Sequence, residues 1–175
     1  MKKIRMTYQD RLIAAFLAGI VAGTVLANLS SNDMKAGLGA FPFSAGGEAG
    51  GSGLLWYLFK SRGAAMILGW LVGLTPYGAA CFVLAAGYGG MTMAVSLSVF
   101  TFQKGITGPL WFFLSLLPHF PLYAMCWAVL AVWAGKRPAR LRIPALICLL
   151  AAALAGAVAE TWGFPALWEL VSKIF

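Results

Sequence analysis

Charge is scarce in this sequence. Of its 175 residues 10% are charged, only five of them acidic, against 61% hydrophobic. Soluble domains carry about 25% charged residues and about 45–50% apolar ones, so this chain could not cover a folded surface in water. Disorder is excluded by the same figures, because disorder needs low hydrophobicity and high charge. Histidine is nearly absent: His119 is the only one, which rules out HExxH and multi-histidine zinc sites. The sequence has no GxSxG and no P-loop, and its acidic residues sit at the ends of apolar runs or in loops. These absences predict a protein that is not an enzyme, with no cofactor and no metal. The three cysteines, Cys81, Cys126 and Cys148, fall inside apolar runs without CxxC spacing, the pattern of buried free thiols.

What is abundant is apolar sequence in long runs. About 20 apolar residues cross a bilayer as a helix, so the chain reads as an all-α, polytopic membrane protein, a single membrane domain of about five transmembrane helices. The expected spans are 12–27, 63–86, 87–103, 110–133 and 143–159, with 30–62 as an outside loop. The Gly-, Ala- and Ser-rich stretch from Ser30 to Gly53 reads as flexible. The uncharged run Gly87-Tyr88-Gly89-Gly90 reads as a turn, and the short third run crosses or re-enters. Residues 164–175 carry Leu167, Trp168, Leu170, Val171 and Ile174 at helical spacing, which predicts an interfacial helix. The first run also has the makings of a signal peptide, with Val25-Leu26-Ala27 as a cleavage site. A retained helix is the favoured reading, because Ala15, Gly19, Gly23 and Ala27 recur every four residues as a helix-packing face.

The net charge of +8 is distributed as membrane topology requires. Lys2, Lys3, Arg5 and Arg11 precede the first run, and Lys136, Arg137, Arg140 and Arg142 share one short connection. Basic residues gathered in short loops mark the cytoplasmic side, so a multi-pass protein of the cell membrane is expected, N-terminus inside and C-terminus outside. No nucleic-acid partner is implied; the partner is the lipid bilayer. Lys60 and Arg62 mark an interface, and Trp56, Trp111, Trp133, Trp162 and Trp168 near the run ends fit an aromatic belt.

Two places interrupt the runs. Gly73-Leu74-Thr75-Pro76-Tyr77-Gly78 puts a proline where it removes a backbone donor. Leu117-Pro118-His119-Phe120-Pro121 sets an ionisable ring between two prolines. Both read as structural kinks, with His119 bonded to a freed carbonyl or to Thr75. The alternative is the interrupted-helix site of a secondary transporter.

The stretch from Leu68 to Trp133 resembles the stage II sporulation protein M family. The residues that carry the likeness are Gly73, Pro76 and Gly78; Gly87, Gly89 and Gly90; Lys104-Gly105; and Leu117-Pro118-His119. The Gly-rich first loop and the Trp-rich end depart from the pattern. The resemblance implies a membrane scaffold of the engulfment machinery in endospore-forming bacteria, in the mother-cell or septal membrane. Its partners would be membrane-anchored peptidoglycan hydrolases resembling the stage II sporulation proteins P and D, and homo-oligomerisation is a further option. No catalytic residue carries over. The competing function is a small transporter or permease-type subunit with Thr75, Pro76, Gln103 and His119 along its path.

Overall fold

The computed structural model describes residues 6–30, 51–117, 119–136 and 143–163, and among them every regular element is helical, with no strand. Helix α1 runs Tyr8–Leu29, α2 Gly51–Leu74 and α3 Gly78–Lys104. A short 3₁₀ turn, Gly105–Thr107, leads into α4, Gly108–Leu116. Then come α5, Phe120–Gly135, and α6, Ile143–Val158, which ends in a π-helical turn, Ala159–Gly163. Three stretches are long and apolar enough to cross a membrane: Tyr8–Leu29, Gly78–Leu116 and Ile143–Gly163. Helix α5 is apolar but shorter. Helix α2 has the length, and it carries Lys60 and Arg62 in its middle.

Helix boundaries depart from the expected ones at three places. The run 63–86 is not one kinked helix. Thr75 N–H and Oγ1 both donate to the Val72 carbonyl, at 3.0 and 2.7 Å, and close the last turn of α2. Pro76 cannot supply the next backbone donor and disfavours helical geometry at the residue before it, so the chain turns at 75–77 and restarts at Gly78. The turn expected at 87–90 is instead the middle of α3, and the boundary between the spans 63–86 and 87–103 moves to Thr75–Tyr77. Glycine costs a helix about 1 kcal/mol relative to alanine, but here two of the glycines let a second helix approach backbone to backbone. Residues 51–62, expected in the outside loop, are helical and open α2. The expected interfacial helix at 164–175 and most of the expected loop lie outside the described residues.

The chain divides into two units, residues 1–42 with 76–112, and residues 43–75 with 113–175. In the first, α1 lies along α3. Gly19, Gly23 and Ala27 are buried in this seam, with Gly19 against the Gly87 carbonyl and Gly23 against Met91 and Ala94. Gly90 faces the Phe16 carbonyl in return. Partners rise together along both helices, from Ala15 and Gly87 to Gly23 and Ala94, so α1 and α3 run parallel. At its start, Thr7 N–H donates to Asp10 Oδ2 at 2.8 Å and the Thr7 hydroxyl bonds the same carboxylate, which fixes the first turn. The face of α1 bearing Ile13, Leu17, Val21 and Val25 is exposed.

In the second unit α2, α5 and α6 pack on one another. Met66, Cys126, Leu130, Leu149, Ala153 and Ala157 form its buried core. Gly69 admits the Trp127 ring edge, and the Cys126 thiol points to the Leu149 carbonyl at 3.8 Å.

Candidate functional site

Four polar side chains of the second unit meet at one place. Arg62, in the middle of α2, extends its guanidinium toward Glu160 in the π-helical turn, with Nη2 to Oε1 at 3.6 Å. The Tyr123 hydroxyl, one turn into α5, donates to the other carboxylate oxygen of Glu160 at 3.3 Å. The guanidinium also lies over the Tyr123 ring, 5.3 Å from its centroid, within the range of a cation–π contact. His119 meets the same ring edge-on, with centroids 6.0 Å apart. One phenol thus touches a cation, an anion and an imidazole from three elements.

Local sequence explains each placement. Tyr123 is buried because Gly156 on α6 leaves it room: a Cβ there would stand 2.8 Å from the ring. Glu160 is brought inward by the wider turn at the end of α6, where Thr161 is buried and donates to the Ala157 carbonyl at 2.8 Å. Single π turns of this kind often accompany functional sites. His119 precedes α5, and its carbonyl accepts the Tyr123 N–H at 3.3 Å. Pro121 falls in the first turn, where its missing N–H would have had no partner anyway.

The sequence-predicted residues divide accordingly. His119 joins the cluster, but its Nδ1 is buried with no hydrogen-bond partner among the described residues, so the freed-carbonyl bond expected for it is not made at that atom. The hydroxyl of Thr75 donates to the Val72 carbonyl in the last turn of α2. Gly73 lies in the last turn of α2, Thr75 and Pro76 are exposed in the turn that follows, and Gly78 is buried at the start of α3. Pro118 lies outside the described residues. Arg62, Tyr123 and Glu160 escaped the sequence reading. Arg62 and Glu160 sit close enough to run ends to pass as interface residues, and an ion pair across 98 positions has no local pattern.

Among the described residues no three histidine, cysteine or acidic side chains gather as a metal site. The first unit has an apolar groove of about 490 Å³ beside the α1–α3 seam, with Thr24, Ser98 and Thr101 on its walls. Those three hydroxyls donate to the carbonyls of Ile20, Ala94 and Leu97 in their own helices, and the Asn28 carboxamide is the other polar side chain on the lining, with no charged group beside it. The Arg62–Tyr123–Glu160–His119 cluster is therefore the stronger candidate.

Neither protein-family models, nor curated proteins, nor solved structures give a match to this chain.

Proposed function

We propose that this chain is a non-enzymatic membrane scaffold of the stage II sporulation protein M type, recruiting anchored peptidoglycan hydrolases to the septal membrane during engulfment. The supporting observation is where the landmarks of Leu68–Trp133 fall. The Gly–Pro break separates α2 from α3; Lys104-Gly105 ends α3, with Gly105 at φ 59°; and Leu117 follows the end of α4 before His119, whereas Gly87, Gly89 and Gly90 lie inside α3. We read the chain as a five-span path, N-terminus inside and C-terminus outside, and the parallel run of α1 and α3 supports it. With α1 outward, parallel α3 is outward too, and the turn at 75–77 replaces the 87–90 turn as the inside connection.

Because Gly19 and Gly23 are spent on α3, partner helices would have to use another face, and exposed Ile13, Leu17, Val21 and Val25 are available on α1. Affinity capture of the tagged protein from detergent-solubilised membranes of sporulating cells tests the reading. Singly anchored peptidoglycan hydrolases among the captured proteins are the expected result. Their absence, with an ATP-hydrolysing subunit in their place, would overturn it.

The transporter reading gains one observation of its own, the ionised cluster beside His119. Ionisable groups inside membrane helices often mark a solute or proton path. On that reading His119→Ala loses substrate flux in proteoliposomes while the protein still assembles; unchanged flux would take His119 off the path.

A further inference from the structure

The ion pair of the second unit leaves Arg62 under-satisfied. A guanidinium presents five N–H donors, and among the described residues the one carboxylate paired with this one stands 3.6 Å away, beyond good hydrogen-bond distance. Glu160 is the better served partner, since its second oxygen holds the Tyr123 hydroxyl. The Arg62 side chain is 48% exposed against 20% for Glu160. The guanidinium therefore lies over the Tyr123 ring on one side and keeps room for a further acceptor on its exposed side. In a bilayer that direction holds lipid.

The level of the cluster is marked by aromatics. Trp56 and Tyr57 are exposed on α2, six and five residues before Arg62, or about 9 Å nearer the helix start. Trp162, also exposed, follows Glu160 by two residues. Indole and phenol rings prefer the headgroup level, so both helices reach that level just beyond the cluster. Side chains on a helix lean toward its N-terminus, and for α2 that is the direction of Trp56. A guanidinium one or two turns below the headgroups reaches up to them along its own alkyl stem. Lys60 adds positive charge at the same level but, at i−2, on the opposite side of the helix.

We propose that Arg62 is a binding site for the phosphodiester of an anionic phospholipid, seated between α2 and the π-helical turn. Glu160 competes with the lipid for the guanidinium and keeps it oriented when no headgroup is there. The site does not depend on either reading of the protein's function.

The test measures lipid retention. The protein is reconstituted in bilayers of phosphatidylcholine with a minor share of phosphatidylglycerol, extracted gently, and its retained lipids are counted by mass spectrometry. Wild type should enrich phosphatidylglycerol about fivefold over its share in the bilayer, the factor equivalent to roughly 1 kcal/mol per basic residue at a membrane surface. Arg62→Gln should remove the enrichment, and Arg62→Lys, which keeps the charge without the fork, should keep part of it. Glu160→Gln should raise it, because the competing carboxylate is gone; a purely structural ion pair would lower it. Lys60→Gln removes the same charge from the other side and should leave the enrichment in place. Inorganic phosphate in the buffer should not displace the lipid. Equal losses in Lys60→Gln and Arg62→Gln would reduce the effect to diffuse attraction and overturn the site. So would a fall in Glu160→Gln, or displacement by free phosphate.

Discussion

Gly89 and Gly90 are neighbours in sequence and opposites in structure, and replacing each by alanine separates the two ways of reading the segment. At Gly89 an added Cβ meets nothing within 4 Å. At Gly90 it would fall on the Phe16 carbonyl oxygen, with the carbonyl carbon at 3.1 Å and Ile20 N at 3.2 Å. These are backbone atoms of α1, so no rotamer change relieves the clash. One helix must retreat by roughly 1 Å along the seam, and overpacking of this kind costs about 1–3 kcal/mol. Gly89→Ala, which removes glycine's helix cost without a clash, should leave stability unchanged or raise it by up to about 1 kcal/mol. The assay needs a probe of the seam itself. A single cysteine at Ala94, 6% exposed in the seam, placed in a cysteine-free background, reacts with maleimide only when α1 and α3 part. Titration with sodium dodecyl sulfate should unmask it earlier in Gly90→Ala than in Gly89→Ala, by a shift worth about 1–3 kcal/mol. Equal midpoints for the two variants would refute the seam and restore a turn at 87–90, where both glycines would be alike.

Three further substitutions test the second break and the polar cluster. Gly105 has φ 59° and ψ −133°, a region that side chains other than hydrogen reach only under strain, so Gly105→Ala should destabilise the fold by about 1–3 kcal/mol in a thermal unfolding series. Tyr123→Phe removes the donor to Glu160 at 3.3 Å but keeps the ring that fills the space beside Gly156. It should cost about 1–2 kcal/mol, whereas Gly156→Ala, which pushes on the ring itself at 2.8 Å, should lower the melting temperature further.

The helical, apolar character of the chain was legible because it depends on composition and run length, which are sums over residues. The period of four small residues in α1 is visible in one segment. Its use is not: Gly19 and Gly23 could equally have met another protein, and only the fold supplies Gly87, Gly90 and Met91 as their neighbours. The same limit explains the misplaced turn. A glycine run reads as a turn when its own backbone freedom is weighed, and as a helix when a second backbone must come close. That choice belongs to the pair of helices.

Sequence alone determined that Pro76 disturbs a helix, because a missing N–H and a steric clash act within one turn of the chain; that it ends α2 where a kink was expected was decided by the fold. Sequence determined as well that charge gathers at run ends, since free charge in hydrocarbon is costly wherever it lies. The tertiary structure decided that Arg62 and Glu160 share one point with Tyr123 and His119. Nothing in either segment names the other. The pairing arises from the packing of α2, α5 and α6, through the slot at Gly156 and the wider turn at Glu160, and packing is a property of surfaces that exist only once the helices have met.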